Sequence, residues 1–533
     1  MKRSEMIARI KERTEPWDIV VIGGGAVGAG VAVDAASRGL DVLLVEREDF
    51  GKGTSSRATK LVHGGVRYLE QGNVSLVMEA LKERGLLLRN APHLVHDLPF
   101  VVPNYSWWEA PFYGIGMKVY DLLAGKYNFG RSRILSFEET LERLPTIQHE
   151  GLRGGVLYHD GQFDDTRLLI HLLATAVDHG ATVVNYVAAV ELQKDADGFL
   201  NAVVVEDRES GERLTAQAKV VVNATGIFTD ETRRLSEPGA PAMVSPSQGI
   251  HLVFDRSFLS GDTAIMVPHT SDGRVLFAIP WHDRTLVGTT DTPIEQPSYE
   301  PLPLEEEIEF VLETAGQYLS RPPARKDVLS IYVGIRPLVK AAGAEGSKTS
   351  ALSRDHTIQI DGAGLLTIVG GKWTTYRHMA EDCVDHAITL GSLKDTPCVT
   401  ADLHVHGYLQ NAQELGALAV YGTDAAAVQA LANERPELAE KLHPELPYIG
   451  AEIVWAAQHE MSRTLDDALA RRTRALLLNA RATVEAAPKV AELLAAELGR
   501  DAGWAEEQVR SFTELAQQYI LSPGASPAKV REA

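Results

Sequence analysis

Asp18-Ile19-Val20-Val21-Ile22-Gly23-Gly24-Gly25-Ala26-Val27-Gly28 decides the fold of this chain. The first five residues are a short β-branched strand, and the strand runs straight into glycines at 23, 25 and 28. Ala29, Val31, Ala32, Ala35 and Ala36 follow as a helix of small residues that can pack closely on a sheet. Gly39 ends that helix, and Val42-Leu43-Leu44-Val45-Glu46 is a second strand. Strand, helix and strand make one βαβ unit of about 30 residues.

The glycine spacing has a mechanical reading. Gly23 permits the tight turn, Gly25 lets backbone approach a pyrophosphate, and Gly28 allows close helix packing. The helix start offers free N–H groups and a positive dipole end to phosphates. Glu46 lies about 20 residues beyond Gly28, where an acid accepts hydrogen bonds from a ribose diol. In this context the motif predicts a bound dinucleotide. By itself it does not separate FAD from NAD.

The rest of the composition narrows the class. At 533 residues the chain is long enough for about three to four folding units. Its 45% hydrophobic and 23% charged content is globular and excludes disorder. Lys+Arg 52 against Asp+Glu 72 gives a net charge of −20, which opposes general binding of nucleic acid. Two cysteines, Cys383 and Cys398, build neither a disulfide framework nor a cysteine zinc site. The N-terminus carries Glu5, Glu12 and Glu15 without an apolar core, so a secretory signal is not expected and a reducing cytoplasmic setting is. No long uncharged apolar run reads as a membrane span.

Further along, Val74, Val77, Met78, Leu81 and Leu88 have helical spacing, predicting an amphipathic helix over 74–89. Lys219-Val220-Val221-Val222-Asn223-Ala224-Thr225-Gly226 and Leu365-Leu366-Thr367-Ile368-Val369-Gly370-Gly371-Lys372 both read as buried strands opening into small-residue turns. The second leads to a helix from Thr374 and reads either as the kind of helix start that stabilises a reduced flavin or as an ordinary βα turn of the same sheet. Short β-rich pieces between His251 and Thr290, separated by turn signals, predict an antiparallel sheet apart from the parallel one. After about Pro397 the chain turns to Ala, Leu, Glu and Arg, predicting a helical domain in which Thr464 caps a helix through Asp467.

Thr54-Ser55-Ser56-Arg57-Ala58-Thr59-Lys60-Leu61-Val62-His63-Gly64-Gly65-Val66-Arg67-Tyr68-Leu69-Glu70 is a distinctive run. With it go Ser247-Gln248-Gly249-Ile250-His251, Gly288-Thr289-Thr290-Asp291, Gly334-Ile335-Arg336-Pro337-Leu338, Gly370-Gly371-Lys372-Trp373-Thr374-Thr375-Tyr376-Arg377 and Asp466-Asp467-Ala468-Leu469-Ala470-Arg471-Arg472-Thr473. Together these segments closely resemble the FAD-dependent, aerobic glycerol-3-phosphate dehydrogenases of the D-amino-acid-oxidase-like flavoprotein group, from Asp18 to about Ala482.

The resemblance implies an α/β fold: a Rossmann-like FAD-binding domain with a parallel sheet, an interleaved antiparallel-sheet substrate domain and a C-terminal α-helical domain. The expected division is 16–95, 150–245 and 330–395 for FAD, 96–149 and 246–329 for substrate, and 400–533 for the helices. It implies oxidation of sn-glycerol 3-phosphate to dihydroxyacetone phosphate, with electrons passing through FAD to a membrane quinone. Flavin contacts are expected at Gly23, Gly25, Gly28, Glu46, Thr54, Ser55, Thr225, Gly226, Gly371, Lys372 and Thr374. Substrate contacts are expected at Arg67, Tyr68, His251, Arg336 and Lys372, with His251, Arg336 and Lys372 catalytic. Trp373 departs from the pattern, where a smaller aliphatic residue is expected beside the flavin.

The residue types suit that chemistry. A phosphate dianion needs cations with directional donors, which the guanidinium groups of Arg67 and Arg336 supply. His251 titrates near neutral pH and is the natural general base, although a hydrogen-bonded core histidine reads equally well. Arg67 paired with Glu70, Arg336 bracing a turn and a solvated Lys372 are the bland alternatives. His404 with His406, and His93 with His96, lack further ligands, so no metal is expected. Trp107 to Tyr120 concentrates aromatics beside Lys118 and Lys126. That segment reads either as a peripheral contact with the inner face of the cytoplasmic membrane or as a wall of the substrate domain or a homodimer interface. The rival functions are a glycerol-3-phosphate oxidase that releases hydrogen peroxide, a non-catalytic flavin-binding regulatory protein, and an NAD-dependent dehydrogenase.

Overall fold

The computed structural model describes residues 1–66, 69, 72–268, 270, 274–340 and 355–522. Val20, Val21, Leu43 and Leu44 are wholly buried because the strands Trp17–Ile22 and Val42–Val45 sit inside a parallel sheet covered on both faces. The strand order is His356–Ile360, Leu365–Gly370, Arg213–Asn223, Trp17–Ile22, Val42–Val45 and Thr182–Val184. All neighbours are parallel except the antiparallel edge strand His356–Ile360. Three adjacent strands therefore end on the same side of the sheet, at Gly23, at Thr225-Gly226 and at Gly370-Gly371. The crevice outside those strand ends is where open α/β sheets bind ligands.

The helix Ala26–Ser37 can lie close to its neighbours because it is almost all Ala, Gly and Val. A Cβ at Gly28 would come 1.9 Å from the Gly23 carbonyl oxygen, and one at Gly30 would come 2.9 Å from the Tyr376 ring on the helix Tyr376–Gly391. Two small-residue positions thus set the helix against the glycine loop on one side and the second helix on the other.

Among the described residues the second sheet has ten strands and is mostly antiparallel; Ala264–Val267 and Val95–Asn104 pair in parallel. Its longest pairing joins Val244–Asp255 to Val328–Val339, with Ser247 opposite Arg336, Gly249 opposite Gly334 and His251 opposite Tyr332. Gly154–Phe163 and Val328–Val339, from segments expected in the cofactor domain, also pair here, because the chain crosses repeatedly between the two sheets. The chain forms the strand Val95–Asn104 and then the helix Glu109–Ala124, which takes up most of the aromatic run Trp107 to Tyr120.

The helix Val74–Asn90 forms where the spacing predicts it, with Val77 and Leu81 buried but Val74 and Met78 exposed. Beyond residue 400 the chain is helical, but it shares a core with the second sheet: Leu469, Leu476 and Ala482 pack in one cluster with Val253, Ile279 and Tyr332. Thr464 and Asp467 cap each other as expected, and the turn they open, Asp467–Arg472, is a π-helix. The apolar stretch Ala412–Glu434 has the length and mean hydropathy of a membrane span. Gly416 and Gly422 carry non-helical backbone within it, with φ of 59° and 54°, so it is several short turns and a helix rather than one rod.

Candidate active site

A cavity of about 470 Å³ lies outside the three strand ends and extends to the face of the second sheet. Its cofactor side is mainly backbone. Gly23 holds φ +114°, and a Cβ there would meet the Ala224 carbonyl oxygen at 2.6 Å. Gly226, Gly370 and Gly371 also have positive φ, at 57°, 87° and 68°. Such backbone favours glycine, and a Cβ at Gly370 would also meet the Asp355 carbonyl oxygen at 2.9 Å.

Glu46 stands one residue beyond its strand. Its Oε2 accepts from the Gly24 N–H at 2.7 Å and its Oε1 from the Glu48 N–H at 2.8 Å. Burial pushes its carboxyl up from the ordinary value, although these two donors oppose the shift. Ser55 Oγ accepts from the Ala26 N–H at 2.9 Å, which satisfies one of the orphan donors at the start of the helix Ala26–Ser37. Thr54 Oγ1 donates to the Ile335 carbonyl at 2.6 Å, and Thr225 Oγ1 donates to Asn223 Oδ1 at 2.7 Å. Thr374 Oγ1 accepts from the His63 N–H at 3.3 Å. These hydroxyls brace the turns, while the residues that carry them line the cavity. Gly28 is not in the lining; it acts from beneath, through the helix contact.

Trp373 resolves differently from the expectation. Its Nε1 donates to the Ser55 carbonyl at 2.9 Å, and its ring packs edge-on against Phe163 and Tyr376. The large indole ties the Gly370-Gly371 turn to the Thr54–Ser56 turn, which a small aliphatic residue could not do.

On the opposite side, His251 and Arg336 line the same cavity, and Lys372 enters it from the Gly370-Gly371 turn. His251 and Arg336 project from the same face of the second sheet, since Arg336 is opposite Ser247 and side chains at 247, 249 and 251 share a face. Between their two rows lies the Gly249–Gly334 pair, which leaves that part of the sheet without side chains. Arg336 Nη1 donates towards Asp291 at 3.4 Å, and Nη2 towards Thr289 Oγ1 at 3.4 Å. These long contacts hold the guanidinium without burying it. Arg67 and Tyr68 lie outside the described residues.

His251 is buried and stacks on Tyr332 with ring centroids 4.8 Å apart. Its Nε2 is 2.9 Å from the Thr59 hydroxyl, and its Nδ1 has no hydrogen-bond partner among the described residues. Burial, then the Lys60 ammonium and the Arg336 guanidinium, hold its pKa well below the ordinary value, so the ring is neutral. Lys60 itself is fully buried at φ +65°, donating to Asp165 at 2.6 Å and to the Ser56 carbonyl at 2.8 Å.

Several lining residues carry no local signal in the sequence. Arg274 is a further cation in the lining. Thr59 touches His251 and belongs to the quoted Thr54–Leu69 run, but no role is legible there. Arg47 lies over the rings of Phe228 and Tyr299, at 5.0 and 5.2 Å, and closes the cavity beside Glu46. Among the described residues no group of His, Cys, Asp and Glu could hold a metal ion. His406 instead lies between Asp178 and Asp424, and His93 contacts His171.

The donor set fits FAD: a glycine cradle at one helix start, an acid at the second strand end and two more backbone turns facing one crevice. Gly23, Gly25 and Glu46 would hold its dinucleotide part, and Gly226, Gly371 and Thr374 face the same space. The chain matches the family described as FAD dependent oxidoreductase over residues 18–377, and the C-terminal domain of alpha-glycerophosphate oxidase over residues 358–508. It is 40% identical over 543 residues to the mitochondrial glycerol-3-phosphate dehydrogenase of Mesocricetus auratus, covering 96% of this chain and 74% of that protein. Against the mitochondrial glycerol-3-phosphate dehydrogenase of Arabidopsis thaliana it is 40% identical, covering 96% and 88%. The crystal structure of the Bacillus halodurans glycerol-3-phosphate dehydrogenase complexed with FAD superposes with a TM-score of 0.79 at 29% identity, covering 98% of this chain and 99% of that one. The chain therefore belongs to the family of FAD-dependent glycerol-3-phosphate dehydrogenases.

Proposed function

We propose that this enzyme oxidises sn-glycerol 3-phosphate to dihydroxyacetone phosphate and delivers the electrons to a membrane quinone. The observation that carries the reading is a single cavity with a backbone cradle for a dinucleotide on one side, His251 and Arg336 on the other, and Lys372 at the end of the Gly370-Gly371 turn. FAD bound there supplies the acceptor for the hydride that leaves the substrate carbon. Arg336 binds the phosphate through its planar fork, and Arg274 adds positive charge to the same cavity. His251 takes the hydroxyl proton on a ring nitrogen. Its depressed pKa keeps it unprotonated in the free enzyme, and the arriving dianion favours the imidazolium that forms. Lys372 lies beside the Gly370-Gly371 turn, where its ammonium can steady negative charge on the substrate oxygen as the proton leaves. Arg67 and Tyr68 complete the substrate contacts in this proposal.

Peripheral attachment suits a quinone acceptor. The helix Glu109–Ala124 and its approach expose Trp107 (77%), Ile115 (69%) and Leu122 (79%), with Trp108 and Phe112 alongside. Such an apolar face seats at a headgroup boundary. The C-terminal match to an oxidase domain keeps oxygen as the second reading of the acceptor. Turnover measured with a soluble quinone analogue against turnover in air alone separates the two. Quinone-dependent turnover with little peroxide is expected, and stoichiometric hydrogen peroxide without quinone would favour the oxidase.

A further inference from the structure

Residues between Glu46 and Thr59 line much of the cavity, and contacts from distant parts of the chain hold this segment at Asp49, Lys52 and Arg57. Asp49 is fully buried and accepts from Arg471 Nε at 2.5 Å, from both terminal nitrogens of Arg472 at 2.8 Å, and from Asn185 at 3.0 Å. Lys52 Nζ donates to Asp466 at 2.5 Å. Arg57 Nη2 donates to Glu300 Oε2 at 2.7 Å, and the Tyr519 hydroxyl donates to the same oxygen at 2.8 Å. Arg471 and Arg472 come from the π turn Asp467–Arg472, and Tyr519 from the end of the last described helical segment.

The electrostatics agree with the geometry. Burial alone would push Glu300 up, yet Arg57 and Lys52 outweigh it and hold its carboxyl below the usual range. Asp49 and Asp466 are held low in the same way by the arginines and lysine that face them. The clamped stretch is not a remote support. Gly51 donates to the Gly24 carbonyl within the glycine loop, and the Arg57 carbonyl lies 2.7 Å from where a Gly334 Cβ would be, beside the cleared strip of the second sheet.

We propose that the C-terminal helical region is a clamp on the cofactor loop, with Tyr519, acting through Glu300 and Arg57, as a positioning residue for FAD retention. The proposal rests on FAD occupying the cavity. It requires coupling in both directions: whatever factor the C-terminal contacts add to FAD affinity, FAD must add to the order of the C-terminal segment.

Tyr519→Phe is the informative substitution, because it removes one hydroxyl and keeps the ring, whose centroid lies 5.9 Å from the Arg57 guanidinium. Deleting a member of the Asp49 or Asp466 pairs would instead strand a buried charge and threaten folding. A lost hydrogen bond to a charged group predicts an FAD dissociation constant raised about fivefold or more, measured on apoprotein titrated with FAD. The melting temperature of apoprotein should be unchanged while that of holoenzyme falls. A contact that merely supports the fold would lower both and leave the dissociation constant alone, and that result, or an unchanged affinity, overturns the proposal. Hydrogen exchange on the unmodified protein gives a second test: residues 502–521 should be more protected with FAD than without it, and equal protection overturns the clamp. A parent protein that does not bind FAD at all would refute the cofactor assignment instead.

Discussion

Arg336 and His251 divide the work of the substrate side, and their surroundings say how. Arg336 lines the cavity, and its guanidinium is placed beside Asp291 and Thr289, each at 3.4 Å. Arg336→Ala is expected to raise KM for glycerol 3-phosphate about 10- to 100-fold with FAD still bound, as steady-state kinetics and the flavin spectrum will show. His251 is fixed by Tyr332 and Thr59 and kept neutral by burial, Lys60 and Arg336. A base of depressed pKa stays competent as the medium is acidified, so the acid limb of kcat/KM is expected below pH 6.5. His251→Asn should slow flavin reduction about 10²-fold or more with little change in substrate affinity, and an unchanged rate in stopped-flow would remove it as the base. The histidine was readable as a candidate from its motif. Its depressed pKa was not, because that comes first from burial among distant segments and then from Lys60, a buried lysine on a left-handed backbone, and Arg336.

At the scale of elements, the glycine turns were legible because they answer to backbone geometry alone. The strand Trp17–Ile22, the helix Ala26–Ser37 and the strand Val42–Val45 fall where apolar period and glycine spacing put them. Gly28→Val tests that logic, since its Cβ would sit 1.9 Å from the Gly23 carbonyl oxygen and push the helix off the loop. The variant should purify with substoichiometric FAD, read from the ratio of flavin to protein absorbance; full occupancy would show that the close approach is dispensable. Other elements escaped the sequence for a physical reason. The helix Glu109–Ala124 is apolar on its exposed face as well as its buried one, which erases the amphipathic period. Trp373 looked out of place because its purpose is a hydrogen bond to a carbonyl 318 positions away in the chain. Arg274 and the Arg47, Phe228 and Tyr299 group enter the cavity from separate segments and share no motif.

For the whole molecule, the helical region after residue 400 is bound to the rest by buried polar contacts that leave no local pattern in the chain. Arg474 pairs with Asp164, Arg167 grips Glu460 with two nitrogens, and Arg472 does the same to Asp49. His406 belongs to the same boundary, with Asp178 at 2.6 Å, Asp424 at 2.9 Å and the His171 ring nearby. The two carboxylates push its pKa up to about 9 from 6.5. Because the folded value is the higher one, this contribution to stability is fully present below pH 6.5 and is lost as pH rises through about 9. The melting temperature of the parent should therefore exceed that of His406→Gln by most below pH 6.5, and the gap should close above about pH 9. A gap independent of pH would contradict the charged clasp. The proposed purpose of the molecule's central cavity is to take hydride from a phosphorylated alcohol. The most direct test is anaerobic mixing of the purified holoenzyme with glycerol 3-phosphate while flavin absorbance is followed. Prompt bleaching of the flavin band is the predicted result, and a spectrum left unchanged at saturating substrate would contradict the account.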